Sequence, residues 1–228
     1  MKSLVILAFT FCFISNLFSQ KQKADTSYGS VQLFAGGGIS INSVSITGSS
    51  SGLEINIDHP KSYAPAFVVG SKFTLAKSKN SLVILTTIRI YSINSTAEKE
   101  LQSGLATYHH TSTFKAQPII SPTASLGYNI IRNRNFKWYV SGGIGFAFLF
   151  NGEEVQSNYY FPSDTTIKAD RKPNPMIFAF NVQTGFDIGK HLGAWMFYHP
   201  PTNTSTKVEK KVQISSLQLG LSYYFKVK

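Results

Sequence analysis

Long stretches with a hydrophobic period of two residues limit this chain to a narrow set of folds. In residues Phe136 to Glu154, the even positions from Trp138 to Phe150 form an almost wholly apolar face, whereas the odd positions are mostly small or polar. Successive side chains of a β-strand point to opposite faces, so this period predicts a strand rather than a helix. The stretch is about twice the usual strand length of ~5–6 residues. It is therefore long enough to cross a bilayer core of ~30 Å on a tilt.

Seven further segments share this alternation, which makes eight predicted strands. They span residues 31–44, 64–76, 82–93, 112–130, 136–154, 177–188, 192–199 and 212–226. The faces opposite the apolar ones are rich in Gly, Ser and Thr and carry few charges, whereas a soluble surface is ~25–35% charged. Two-faced alternation over ~10 residues per segment is typical of transmembrane β-strands.

The connections between these segments alternate in length. Three are short, at residues 77–80, 132–135 and 189–190, and four are long and polar, at residues 45–63, 94–111, 152–176 and 200–211. Outer membrane barrels have short periplasmic turns and longer extracellular loops. The sequence therefore predicts an all-β fold, an eight-stranded antiparallel up-and-down transmembrane β-barrel with both termini on the periplasmic side.

A soluble ligand-binding barrel is the alternative, because alternation by itself does not say which face is outside. Aromatic residues near the ends of the apolar face favour the membrane, since transmembrane barrels carry aromatic girdles at both interfaces. Those near the short turns are Tyr128, Trp138, Phe186, Tyr223 and Phe225, and those near the long loops are Phe148, Phe150, Phe178 and Tyr198.

The N-terminal segment predicts export. Residues 1–19 combine Lys2, an apolar run and a small residue at Ser19, which is typical of a cleaved secretory signal peptide. Residues 20–228 then form a single barrel domain, with a net charge of +10 and without Cys12, the one cysteine of the chain. Thiol and disulfide chemistry are therefore not expected. Although a basic chain can bind nucleic acid, the predicted export out of the cytoplasm argues against nucleic acid as a partner.

One stretch of the sequence also resembles a known protein family. "FKAQPIISPTASLGYNIIRNRNFKWYVSGGIGFAFLF" combines prolines within a strand, a tight basic turn and a Tyr-x-x-Gly-Gly-x-Gly strand, at Pro118, Pro122, residues 132–135, Tyr139, Gly142, Gly143 and Gly145. It resembles the outer membrane β-barrel domain family common in Bacteroidetes, as does the ending "LQLGLSYYF". The resemblance implies an eight-stranded barrel, often called porin-like, with some relatives linked to secretion or gliding machinery. It implies no shared functional residue.

The predicted interior carries charge. Eight strands leave an interior just wide enough for side chains to fill, so a continuous solute pore is not expected. The two-residue alternation directs the side chains of Lys72, Arg89 and Asp187 toward the barrel interior. The two cations need acceptors there, because an unpaired buried charge is costly. Asp187 is a candidate acceptor, although its strand does not neighbour theirs in hairpin order. We interpret these charges as a plug that holds the barrel together. The sequence therefore predicts a structural, interaction or accessory role in the cell envelope, with a narrow porin-like transport barrel as the alternative.

Catalytic candidates are few. His110 and Ser112 lie at the loop end of the fourth segment, and the alternation predicts that both side chains face the lipid. This pair resembles the His-x-Ser pair of lipid A deacylases. Thr113 replaces the Asn of that family, and Glu153 and Glu154 fall in the predicted loop beyond the fifth strand. We predict solvated loop histidines at His109 and His110, no metal or cofactor and no enzymatic activity, with a lipid-modifying enzyme as the less favoured alternative.

Basic residues concentrate at the short turns. This periplasmic collar consists of Lys77, Lys79, Arg132, Arg134, Lys137 and Lys190. Such side chains snorkel to lipid phosphates, which makes outer membrane lipids the expected partner. A second hypothesis is that the collar docks an acidic periplasmic or envelope protein by electrostatic steering.

Overall fold

The computed structural model describes residues 29–50, 53–75, 81–103, 106–132, 135–161, 165–204 and 210–226. The predicted signal peptide lies outside the described residues and stays a prediction. Within the described ranges the structure is all β, and no helix there is long and apolar enough to cross a membrane.

Eleven strands occur in the described part of the chain, and each predicted segment corresponds to one of the eight barrel strands, although the predicted segment 136–154 ends as a strand at Leu149. The strands are β1 (Gly29–Ser50), β2 (Leu53–Asp58), β3 (Ser62–Leu75), β4 (Leu82–Ser103), β5 (Ala106–Arg132), β6 (Phe136–Leu149), β7 (Glu153–Phe161), β8 (Thr165–Arg171), β9 (Met176–Ile188), β10 (Leu192–Asn203) and β11 (Lys210–Lys226).

Eight of these strands close into a ring. Each pairs antiparallel with its neighbour in the order β1, β3, β4, β5, β6, β9, β10 and β11. The first and last strands then pair along their length, from Gln32 opposite Lys226 to Gly48 opposite Lys210. Closure satisfies the backbone groups that an open edge would leave unpaired, as a hydrocarbon environment requires. The predicted eight-stranded up-and-down barrel is confirmed.

The two faces of the barrel are the reverse of those in a soluble barrel. The inner wall buries polar and charged side chains: Ser40, Asn42, Lys72, Thr74, Thr87, Arg89, Ser121, Thr123, Ser125, Asn129, Ser141, Asn181, Gln183, Asp187, Ser216, Gln218 and Ser222. The outer wall exposes large apolar side chains, among them Ile39, Phe67, Leu126, Ile144, Phe180, Val182 and Leu221. A contiguous apolar outer wall of this kind is stable only in lipid. The soluble alternative is therefore excluded.

The predicted long loops contain strands, so that part of the prediction was wrong. β4 and β5 have 22 and 27 residues, whereas crossing a bilayer takes ~9–11. We call the part beyond the membrane the extracellular extension. It comprises β2, β7, β8 and residues 43–50, 92–103, 106–117, 200–203 and 210–215 of the barrel strands. The rest of the eight barrel strands is the membrane band.

A bulge marks the border between these two parts. Tyr91 of β4 pairs with Ile119 of β5, and Ile93 pairs with Ala116, so β5 has one more residue across this interval. The two adjacent residues Gln117 and Pro118 are both exposed. The extra residue reverses the facing of every β5 side chain on its extracellular side.

Candidate functional site

A hydrogen-bonded cluster fills the periplasmic half of the lumen. Lys72 of β3 forms a salt bridge with Asp187 of β9, with 2.6 Å between Nζ and Oδ2, and both side chains are almost wholly buried. The Tyr224 hydroxyl donates to the other carboxylate oxygen at 2.7 Å. The Lys72 ammonium also lies 3.9 Å from the centre of the Tyr139 ring. We call Lys72, Asp187, Tyr139 and Tyr224 the lumen plug.

Glycines make room for the aromatic rings of this plug. Tyr139 pairs with Gly185 across β6 and β9, and a Cβ at Gly185 would overlap the tyrosine ring. The Tyr224 ring lies in the same way against Gly193, where a Cβ would come within 2.6 Å of Cε2. Glycine therefore lets a large inward ring lie flat against the neighbouring strand.

Arg89 occupies a separate level nearer the extracellular side. Its Nη2 donates to Ser121 Oγ at 3.0 Å, and its guanidinium carbon lies 3.1 Å from the centre of the Phe197 ring. His199 follows Phe197 on the same inner face of β10 and is also buried. The three predicted interior charges thus lie in the lumen at two levels, and Asp187 contacts Lys72 rather than Arg89.

An apolar layer lies beyond Arg89. Its side chains are buried and belong to six strands: Val44, Tyr91, Ile93, Phe114, Ala116, Ile119, Leu149, Ile177, Val212 and Ile214. A layer of packed apolar side chains excludes water and therefore ions. The lumen is consequently filled by the plug at one level and by hydrocarbon side chains at another.

His110 and Ser112 face the interior, so their predicted lipid-facing orientation was wrong. Both are strand residues of β5 rather than loop residues, and they are 2% and 0% exposed. Phe114, two residues further along the same face of β5, is likewise buried, in the apolar layer. The cause is the extra residue at the bulge, which reverses the facing of this part of β5. Neither side chain can reach a lipid ester in the outer leaflet.

The extracellular extension has a buried polar group of its own. Glu154 lies in strand β7 instead of the predicted loop, and it is 3% exposed. His59 is buried nearby, its Nδ1 lies 3.1 Å from the Ser95 carbonyl oxygen, and burial lowers the pKa of its imidazole. His109 is exposed and pairs with Glu100 at 3.3 Å. No group of three or more metal-ligating side chains occurs in the described part of the chain.

Half of the periplasmic collar can be placed. Arg132 and Lys137 are half-buried at the periplasmic rim, where Arg132 Nη1 donates to Ser81 Oγ at 3.1 Å, and Lys190 is exposed. Lys77, Lys79 and Arg134 lie outside the described residues. Arg132 and Lys137 both lie close enough to Lys72 to interact with it electrostatically. The placed collar residues thus lie along one side of the periplasmic rim, from β5 to the turn between β9 and β10.

Three contributors to the lumen were missed from the sequence. They are Tyr224, Phe197 and His199, none of which was singled out as an inward-facing residue. A signal was present, because all three occupy positions whose side chains the two-residue alternation directs inward. The alternation does not indicate, however, which inward-facing residues contact each other across the lumen.

No family model matches the chain, and no curated protein sequence matches it significantly. Solved structures similar to it include the attachment invasion locus protein Ail of Yersinia pestis, at 14% identity over 84% of this chain and 99% of Ail, with a TM-score of 0.34. The outer membrane protein OprG of Pseudomonas aeruginosa is 13% identical over 88% and 99%, with a TM-score of 0.39. The outer membrane protease OmpT of Escherichia coli is 9% identical over 86% and 96%, also with a TM-score of 0.39.

With TM-scores this low, the fold assignment rests on the strand pairing of the chain itself. The expectation that this chain is not an enzyme stays a prediction. The closed antiparallel ring, its apolar outer wall and its polar inner wall together make the chain an eight-stranded outer membrane β-barrel protein.

Proposed function

We propose that the protein is a non-conducting interaction barrel, which anchors the extracellular extension in the outer membrane as a surface for other molecules. The observation that supports this proposal is that side chains fill the lumen, whereas the sheet extends well beyond the membrane on the extracellular side. The lumen plug and the apolar layer occupy the interior. Outside the membrane, β4, β5, β7 and β8 form a continuous four-stranded sheet.

The outer face of this extension is suited to contacts in water. Beyond Ile90 the exposed side chains of β4 change from apolar to polar, at Asn94, Thr96 and Glu98. Lys99 Nζ donates to the Asn56 carbonyl oxygen at 2.7 Å, which ties the outer part of β4 to β2. A rigid, polar platform of this kind binds a partner at little conformational cost.

The absence of conduction is tested in planar lipid bilayers. The refolded wild-type barrel is expected to show no stepwise conductance, because ions would have to cross the apolar layer. Phe114→Ala and Ile93→Ala together thin that layer and serve as the positive comparison. Regular conductance steps from the wild-type protein would contradict the proposal and support the narrow transport barrel.

Interaction is tested by photocrosslinking in intact cells. A crosslinking amino acid at position 98, on the polar outer face, is expected to yield discrete protein or glycan adducts. The same residue at position 144, where Ile144 faces lipid, is the matched control and should yield none. If the two positions give the same pattern, the extension is not an interaction surface.

On the periplasmic side, we propose that the collar docks an acidic envelope protein. The placed collar residues are basic, and the one described carboxylate beside them, that of Asp187, is already bound by Lys72 and Tyr224. Replacing Arg132 and Arg134 by Gln should sharply reduce crosslinked periplasmic complexes while the barrel still assembles. Lys115→Gln, a charge loss in the extension, is the control. Unchanged yields with the double variant would leave the collar as a feature of the membrane rim.

The quoted strand–turn–strand motif supports a finer proposal, that the barrel belongs to the Bacteroidetes-type outer membrane β-barrel family. As a member of that family, the protein would serve as an accessory of a larger envelope assembly, with the extracellular extension and the periplasmic collar as its two contact surfaces.

A further inference from the structure

Arg89 is a buried cation with few protein partners. Its side chain is 2% exposed on the inner face of β4, three residues from Ser92 at the bulge. One nitrogen donates to Ser121, and the guanidinium plane rests on Phe197. The Nε–H has no hydrogen-bond partner among the described residues. A buried guanidinium that is only partly hydrogen-bonded is costly, because it has lost its hydration.

The described part of the chain supplies no negative charge at this level. Of the acidic side chains that the structure describes, Asp187 is the one in the membrane band, and the others belong to the extracellular extension. Both oxygens of Asp187 are bound within the lumen plug, to Lys72 and Tyr224. The described part of the chain places no carboxylate within 4.0 Å of Arg89, the distance at which a salt bridge forms. The Phe197 ring is attracted to the cation but carries no net charge.

The wall opposite Arg89 also holds polar atoms without partners. His199 is 2% exposed and lies within electrostatic range of Arg89, and neither of its ring nitrogens has a hydrogen-bond partner among the residues that the structure describes. Gln218 pairs with Phe197 across β10 and β11, and its Oε1 likewise has no hydrogen-bond partner within the described ranges. These atoms therefore lie in one patch of the inner wall, beside the ring on which Arg89 rests.

We propose that the lumen between Arg89 and His199 binds a small inorganic anion of halide size. The Arg89 Nε–H and one N–H of His199 are the donors, and the anion supplies the counter-charge that the described residues do not provide there. Because Arg89 already packs closely against Phe197, an anion that contacts both donors must be small, which favours a monoatomic ion over a phosphate or an organic acid. Water alone would satisfy the hydrogen bonds but would not neutralise the charge. This inference is independent of the proposed interaction role.

The test is a thermal unfolding series on the refolded barrel in detergent. Chloride replaces gluconate at constant sodium and constant ionic strength, and the fraction of heat-resistant folded barrel is followed by gel mobility. The wild-type midpoint is expected to rise with chloride and to saturate. Arg89→Gln should remove this dependence, whereas Lys190→Gln, a charge loss at an exposed turn, should keep it.

Two results overturn the proposal directly. The first is a wild-type unfolding midpoint that does not change with chloride, and the second is an equal rise of the midpoint with chloride in the Arg89→Gln variant. If that variant does not refold, crystals of the wild-type barrel grown in bromide decide the question. Bromide between Arg89 and His199 gives an anomalous difference peak that water cannot give. A peak there supports the site, and density without anomalous signal means that only water occupies it.

Discussion

The membrane band and the extracellular extension are made from the same strands, yet they turn opposite chemistries outward. In the membrane band β4 exposes Leu82 and Ile90 and buries Thr87 and Arg89. In the extension the same strand exposes polar residues and buries Ile93 and Ala97. The first region is stable because its outer wall lies in lipid, and the second because its apolar side chains leave water.

The comparison explains why the polar lumen needs specific partners, whereas the apolar layer that extends into the extension does not. Apolar packing is non-directional, so Phe114, Ile93 and Val212 need only be close to one another. Charges in the lumen are stable only with matched geometry, as in the bonds of Asp187 to Lys72 and Tyr224. Substitutions should therefore act by different mechanisms in the two regions, and four experiments test this.

The largest effect is expected in the lumen of the membrane band. Asp187→Asn leaves the Lys72 ammonium buried without its counter-charge, which should lower the free energy of unfolding by ~3–5 kcal/mol. Urea titration of the barrel in lipid vesicles measures the loss. Glu98→Gln, an exposed charge in the extension, is the control and should change stability by less than ~0.5 kcal/mol. The pairing would be unimportant if adding Lys72→Met to Asp187→Asn recovered no stability.

A comparable loss is expected in the core of the extension. Phe114→Ala should lower the free energy of unfolding by ~3–5 kcal/mol, because the ring is wholly buried and its removal leaves a cavity. Phe146→Ala is the matched control, since Phe146 is 42% exposed and faces lipid, which fills the space. The same urea titration compares the two. Equal losses would show that the extension lacks a water-excluding core.

The same charge placed on the two outer walls should act very differently. Ile144→Arg puts a cation against the middle of the lipid layer and should cost ~2–4 kcal/mol, and Val140→Arg, nearer the periplasmic interface, ~0–1 kcal/mol. Thr96→Arg, on the polar outer wall of the extension, should change stability by less than ~0.5 kcal/mol. Refolding yields into vesicles and urea midpoints rank the three variants. A large loss for Thr96→Arg would place the membrane border further outward than Ser92.

The smallest effect concerns the glycines beneath inward aromatic rings. Gly185→Ala forces a methyl group into the Tyr139 ring, and overpacking of this kind should cost ~1–3 kcal/mol. Gly142→Ala, on the outer wall with its nearest neighbour at 3.9 Å, is the control and should be almost neutral. If the two substitutions have the same effect in thermal unfolding, the contact of Tyr139 with Gly185 does not contribute to stability.

Part of the site could be predicted because it depends on local alternation. The period of two placed Lys72, Arg89 and Asp187 inside the barrel without any knowledge of their partners. The salt bridge between Lys72 and Asp187 was left open, since β3 and β9 are not neighbours and only the closed ring brings them together across the lumen. His110 and Ser112 were misplaced because parity was counted through the bulge, where one extra residue reverses it.

The long loops were predicted wrongly for a related reason. Hydropathy marks a strand only where one face is apolar over its whole length, as it is in lipid. In the extension the alternation is weaker and mixed with Ser, Thr and Asn, so strands β2, β7 and β8 resembled loops. Their backbone hydrogen bonds join β2 to β1, β7 to β5 and β8 to β7, and this pairing is a property of the assembled sheet.

The amino-acid sequence by itself determined the eight membrane-crossing strands, their closure as hairpins and the chemistry of their two faces, because these follow from a period of two and from the insolubility of unpaired backbone in lipid. The tertiary structure alone decided which inward residues meet across the lumen, where the bulge reverses the facing of β5, and how far the sheet continues into water. Those features depend on the stagger between strands that are distant in sequence, and no local pattern encodes that stagger.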